Sequence, residues 1–130
     1  MVKSMITPLY AAIIALLFVL LSVRTLLLRR KLKVAIGHGD QPRLERATRA
    51  HANFAEYVPI ALLLIYFLEV SSVSGPLIHI LCVLLLVGRI SHAYGVSQVE
   101  EDYRYRVFGM ALTFTAIISA ALRIVVAYLV

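Results

Sequence analysis

Residues 46–59, which read RATRAHANFAEYVP, carry two arginines, an amide and a carboxylate at helical spacing. At about 100° per residue, these polar groups and a tyrosine fall within about a third of the helix circumference: Arg46, Arg49, Asn53, Glu56 and Tyr57. Guanidinium groups bind carboxylates with paired hydrogen bonds. The spacing therefore predicts a site for an anionic ligand on one face of a helix.

The composition indicates the surroundings of this face. Of 130 residues, 62% are apolar and only 15% are charged, and the mean hydropathy is +0.90. These values exclude an ordinary soluble domain and are typical of an integral membrane protein. The net charge is +6, and the basic residues lie next to apolar segments. This position favours membrane orientation, lipid headgroups or an anionic ligand over nucleic acid as the reason for the positive charge. We expect no metal site, and the single cysteine, Cys82, is interpreted as a packing thiol in an apolar run.

The apolar segments predict one domain, residues 1–130, that is an all-α membrane protein. About 20 apolar residues cross a hydrocarbon core of about 30 Å. Four such helices are expected in an up-down bundle, at residues 5–33, 43–70, 76–97 and 104–129.

The basic residues predict the orientation of the bundle, because loops rich in lysine and arginine stay in the cytoplasm. Lys3 alone marks the side that holds both termini. The loops after the first and third helices hold Arg29, Arg30, Lys31, Lys33, Arg43 and Arg104. We therefore expect both termini to face away from the cytoplasm and these two loops to face it.

Helix counting brings further polar residues to the same membrane face. Arg89 and His92 lie one turn apart near the end of the third helix, and Arg106 lies near the start of the fourth. A charge within the bilayer costs about 2.5–3.5 kcal/mol on insertion scales, so these residues need partners. A closed ion-pair network with Glu56 is one interpretation. Four arginines against one carboxylate favour an anionic ligand instead.

Three motifs in this order resemble the MAPEG family, the membrane-associated proteins of eicosanoid and glutathione metabolism. The first runs from Arg46 to Pro59, the second is Gly88-Arg89-x-x-His92-x-x-Gly95, and the third is Arg106-x-x-Gly109. The resemblance covers essentially the whole chain and is to a bacterial member similar to microsomal glutathione transferases. It implies a homotrimer that binds glutathione between neighbouring subunits, near the cytoplasmic face of what we expect to be a bacterial inner membrane.

The resemblance also implies roles for individual residues. Arg46 and Arg49, with Arg29 or Arg30, would bind the carboxylates of glutathione. Glu56 would pair with its ammonium and Asn53 would contact a peptide group. The remaining candidates for the ligand site are Tyr57, Arg89, His92, Tyr94 and His51, the last of which points away from Arg49 and would serve a site shared with an adjacent subunit.

The implied chemistry is formation of the glutathione thiolate. A free thiol has a pKa of about 8.5, which a nearby guanidinium lowers. Arg106 is the residue that the resemblance assigns to the thiolate, with Arg104 as the substitute. The thiolate would attack a lipophilic electrophile or reduce a lipid hydroperoxide, without a protein nucleophile.

Two other functions are compatible with the sequence. A non-catalytic trimer of the same kind would bind an anionic amphiphile or a partner membrane protein. A small multidrug transporter also has four helices and needs an acidic residue within the membrane, for which Glu56 is a candidate. The accompanying arginines argue against the cationic substrates of such transporters.

Overall fold

The computed structural model describes residues 5–130, which form four helices joined by short connections. The helices are α1 (Thr7–Leu32), α2 (Pro42–Val70), α3 (Gly75–Ser97) and α4 (Tyr103–Leu129). All four are long and apolar enough to cross a membrane. The chain is therefore an all-α, four-helix membrane protein, and the helix bounds differ from the expected ones by at most two residues. Lys3, which contributes to the expected orientation, lies outside the described residues.

Local sequence signals explain where the helices begin and end. Proline occupies the first turn of α1, α2 and α3, where a missing N–H costs little. At the start of α4 the carboxylate of Asp102 accepts a hydrogen bond from the backbone N–H of Arg104 at 3.0 Å. Helix α1 ends at Leu32, and the next residue, Lys33, adopts a left-handed conformation (φ 56°) that terminates it.

The apolar core lies between α2, α3 and α4, with a smaller contribution from α1. Phe54, Ile65, Ile78 and Leu85 are among its buried side chains. Much of α1 presents leucine, isoleucine and valine to the outside of the bundle. In a membrane these side chains meet lipid or another protein subunit.

Helices α3 and α4 approach each other closely because three glycines lie in their contact. A Cβ atom at Gly109 would lie 2.5 Å from the carbonyl oxygen of Gly88 and 2.5 Å from the backbone nitrogen of His92. A Cβ atom at Gly95 would lie 2.9 Å from the backbone nitrogen of Arg106. The glycines therefore bring the polar ends of α3 and α4 side by side.

At the opposite end of the bundle, a carboxylate from α2 holds the start of α1. Glu69 accepts hydrogen bonds from the backbone N–H groups of Ile6 and Thr7, the latter at 2.8 Å. These N–H groups have no partner within α1, so the contact satisfies them and attracts the positive end of the helix dipole.

We expect Gly109→Ala to destabilise the protein by about 1–3 kcal/mol, because the added methyl group meets backbone atoms of α3 that cannot rotate away. Thermal unfolding of the purified protein in detergent measures the effect. The matched control is Ser119→Ala, on an exposed position of the same helix. Equal melting temperatures for the two variants would contradict this account of the α3–α4 contact.

Candidate functional site

Arg89 on α3 is the most deeply buried charged side chain among the described residues, with 1% of its surface exposed. Its Nε donates a hydrogen bond to Thr113 Oγ1 on α4 at 3.0 Å. Its Nη1 donates to Asn53 Oδ1 on α2 at 2.8 Å. The guanidinium carbon also lies 5.5 Å from the centre of the Tyr57 ring. One cation thus joins α2, α3 and α4.

The charge of Arg89 is stabilised by neutral hydrogen-bonding groups and an aromatic ring, not by a carboxylate. Neither ion pair within the described part of the chain includes it. Its third hydrogen-bond partner is the sulfur of Met110, 3.3 Å from Nη2. Hydrogen bonds from a charged donor are stronger than those between neutral groups, and leaving such a donor unpaired is costly. Arg89 therefore fixes the relative positions of the three helices that surround the candidate site.

A cavity of about 430 Å³ opens at the end of the bundle that carries the α1–α2 and α3–α4 connections. Three helices form its wall: the start of α2, the end of α3 and the start of α4. The lining side chains are Glu45, Arg46, Arg49, Asn53, His92, Val96, Arg106 and Met110. Its volume lies within the usual range for small-molecule sites, about 300–1,000 Å³.

The cations of the cavity are Arg46, Arg49 and Arg106. Arg46 and Arg106 share one counter-ion, Glu101, from the connection between α3 and α4. Glu101 Oε2 contacts Arg46 Nη1 and lies 3.4 Å from Arg106 Nη1. Arg49 is exposed and has no hydrogen-bond or ion-pair partner within residues 5–130.

Glu101 was missing from the sequence-based site because it lies in the charged segment between the expected third and fourth helices. The available signal was its position, five residues before Arg106 at a membrane end with an excess of cations. Glu45 and Met110 were also missing, and both lie next to predicted site residues, one helical turn or less away.

The two histidines of the motifs have different surroundings. His92 is 4% exposed and lines the cavity. His51 lies on the other side of α2, where its Nε2 is 2.9 Å from Ser22 Oγ and its ring stacks on Phe18 at 4.8 Å. His51 therefore contacts α1 of its own chain and does not line this cavity, and its role in a site shared with an adjacent subunit stays a prediction.

Several other predicted site residues lie outside the cavity. Arg29 donates to the carbonyl of Gly37 at 2.7 Å and, with Arg30, lines a separate open depression near the α1–α2 connection. Tyr94 is exposed and packs edge-on against Tyr105. Arg104 is exposed and does not line the cavity. Two further predicted residues do not line the cavity but lie next to it. Arg89 contacts the lining residues Asn53 and Met110, and Tyr57 contacts Arg89.

Glu56 also lies outside the cavity of the single chain. It is exposed on α2, about 10 Å along the helix from Arg49. It has no ion pair or hydrogen bond to any described residue. Val70, where α2 ends, is fourteen residues further on, about 21 Å. Since the hydrocarbon core is about 30 Å thick, Glu56 is an outward-facing carboxylate at a depth that the core can include.

The fold and motifs agree with a match to a known family. The chain belongs to the MAPEG family, whose family model matches residues 7–126. It is 37% identical over 114 residues to the inner membrane protein YecN of Escherichia coli strain K12, a match that covers 88% of this chain and 86% of YecN. YecN of Escherichia coli O6:H1 matches to the same extent. No solved structure matches the chain significantly.

We expect Arg89→Lys to destabilise the protein by about 1–3 kcal/mol, although it preserves the charge. A lysine ammonium cannot reach Thr113 and Asn53 together in the geometry of the guanidinium fork. Thermal unfolding in detergent measures the loss, with Arg123→Lys, at an exposed arginine of α4, as the control. A melting temperature for Arg89→Lys as high as that of the wild type would show that Arg89 does not hold the helices together.

Proposed function

We propose that this protein is a glutathione-dependent membrane enzyme. It conjugates the glutathione thiolate to lipophilic electrophiles, reduces lipid hydroperoxides, or does both. The observation that carries the proposal is the convergence of three guanidinium groups from α2 and α4 on one cavity. Membership of the MAPEG family supports glutathione as the ligand.

The charge balance of the cavity supports this ligand. Three arginines face two carboxylates, Glu45 in the wall and Glu101 behind it, which leaves one net positive charge. Glutathione carries two carboxylates and one ammonium at neutral pH, which leaves one net negative charge. Arg49 is available to one ligand carboxylate, Arg46 lies one turn away, and Glu45 offers an anion to the ammonium.

Arg106 is the residue that we assign to the sulfur. It lies across the cavity from the start of α2, and 42% of its side chain is exposed. A guanidinium beside the thiol favours the thiolate, which is the nucleophile. The thiolate then forms a C–S bond with an electrophile, which loses a leaving group or opens a double bond or ring. With a hydroperoxide, the thiolate takes the terminal oxygen as the O–O bond breaks, and the alkoxide takes up a proton to leave as an alcohol. The resulting glutathione sulfenic acid reacts with a second glutathione to give the disulfide and water.

We further propose that the chain works as a homotrimer. Glu56 supports this assembly, because an unpaired carboxylate that faces lipid would cost about 2.5–3.5 kcal/mol on insertion scales. A neighbouring subunit against α2 would cover Glu56 and supply a polar partner for it. The same contact would place Glu56 beside the ligand of an adjacent site, as the family resemblance implies.

We place the cavity at the cytoplasmic face of the membrane. At its end of the bundle, the last turn of α1 and the residue that follows it carry Arg29, Arg30, Lys31 and Lys33. The cytoplasmic preference of such basic segments supports this orientation. Both termini then face away from the cytoplasm. The inner-membrane assignment of YecN supports the same membrane for this chain.

The assignment of Arg106 predicts separate effects on binding and on chemistry. In Arg106→Gln, Arg46 and Arg49 remain to bind carboxylates, so calorimetry should still detect glutathione binding. We expect the ultraviolet absorbance of the thiolate to disappear and turnover of chlorodinitrobenzene to fall by about 10²–10³-fold.

The control for this experiment is Arg104→Gln, two residues away and outside the cavity, which should keep both signals. Loss of both signals in Arg104→Gln, with Arg106→Gln unaffected, would transfer the role to Arg104. A wild-type protein that binds an anionic lipid without binding glutathione would support the non-catalytic alternative.

The trimer predicts that native mass spectrometry detects three copies of the wild-type chain. We expect Glu56→Gln to shift the population toward smaller species, because the neutral amide loses the charge-assisted contact across the interface. Asp40→Asn, in the exposed α1–α2 connection, is the matched control. A monomeric wild type, or a Glu56→Gln trimer as stable as the wild type, would contradict this part of the proposal.

A further inference from the structure

Glu101 is a buried carboxylate that contacts two arginines of the cavity, and the proposed function gives it no role. Its side chain is only 2% exposed, and a single oxygen, Oε2, contacts both Arg46 and Arg106. These are two of the three cations that would bind an anionic ligand. Glu101 therefore already binds two of the guanidinium groups that an anionic ligand would need.

The short connection between α3 and α4 determines where Glu101 lies. The connection has five residues, 98–102, and is held at both ends. At one end Arg24 on α1 donates hydrogen bonds to Ser97, including one to its carbonyl oxygen at 3.4 Å. At the other end Asp102 caps α4. The backbone of the connection is thus anchored on both sides of Glu101.

The carboxylate of Glu101 is incompletely satisfied in this position. Its second oxygen, Oε1, is buried without a hydrogen-bond partner. Buried polar atoms in proteins nearly always have a partner, and an unpartnered one is costly. The attraction of the two guanidiniums for Oε2 therefore holds Glu101 in a position where Oε1 has no hydrogen bond.

The contact with Arg106 is the weaker of the two. Its length of 3.4 Å exceeds the usual 2.7–2.9 Å of a charge-assisted N–H···O bond. Arg106 also has the more exposed side chain, 42% against 30% for Arg46. An incoming anion would therefore displace Glu101 from Arg106 before it displaces Glu101 from Arg46.

We propose that Glu101 is an internal counter-ion that sets the affinity of the cavity for anions. Its carboxylate competes with the carboxylate or thiolate of the ligand for Arg46 and Arg106. This keeps the empty cavity close to neutral and makes binding of a singly charged anion reversible. The identity of the ligand as glutathione rests on the proposed function.

The test compares glutathione binding by calorimetry in wild type, Glu101→Gln and Glu100→Gln, each purified as the full chain. Glu101→Gln keeps the size of the side chain and removes the competing charge. We therefore expect binding about fivefold tighter, the upper end of the range for a partly exposed ion pair. Glu100 is the exposed neighbour in the same connection, and its variant should bind within about twofold of wild type.

The direction of the change separates this role from a structural one. If Glu101 only positioned the arginines, its removal would weaken binding and lower the melting temperature, and that result overturns the inference. Unchanged affinity overturns it as well. If Glu101→Gln does not fold, Glu101→Asp decides, because the shorter side chain competes less well. Tighter binding by Glu101→Asp supports the inference, and equal or weaker binding contradicts it.

The same experiment distinguishes failure of the inference from failure of the proposed function. Wild-type binding with no gain in Glu101→Gln contradicts only the role of Glu101. Binding by Glu101→Gln alone supports that role, since the competitor would then block the wild-type cavity completely. Absence of binding in every variant contradicts the proposed function together with the inference.

Discussion

A guanidinium buried among neutral partners is the constraint on which the arrangement of this bundle depends. Arg89 has to find hydrogen-bond acceptors because it is withdrawn from both lipid and water, and it finds them on α2 and α4. Gly88 and Gly109 allow α3 and α4 to come close enough for those contacts. Packing and polar satisfaction thus specify the same geometry, and that geometry places the start of α2, the end of α3 and the start of α4 around one cavity.

The polar residues at this end of the bundle fall into two sets, one that holds the helices together and one that lines the cavity. Arg89, Asn53 and Tyr57 stabilise the helix contacts. Asn53 belongs to both sets, because its side-chain oxygen Oδ1 accepts a hydrogen bond from Arg89 and the residue also lines the cavity. Arg46, Arg49 and Arg106 face the opening, and two of them share Glu101. A cavity with this partial neutralisation suits a ligand of small net charge that carries charges of both signs. Glutathione has that character, and a polyanion does not.

Much of the fold was predictable, because apolar runs of membrane-spanning length and the charged segments between them define four helices. Helix counting also brings Arg46, Arg49, Asn53, His92 and Arg106 to one membrane end, where the structure has them around one cavity. The pairing of side chains was less accessible, because it depends on how each helix is rotated about its axis and on the path of the connections. The contact of Glu101 with two arginines depends on such a path, and the contact of His51 with Ser22 depends on such a rotation.

A structure of the protein in lipid with saturating glutathione tests the central claim most directly. The account predicts one glutathione in the cavity, with a carboxylate on Arg49 and the sulfur beside Arg106. It also predicts that the Glu101 carboxylate has moved away from Arg106. Glutathione bound elsewhere on the bundle, or a cavity that stays empty with Glu101 still between Arg46 and Arg106, would contradict it.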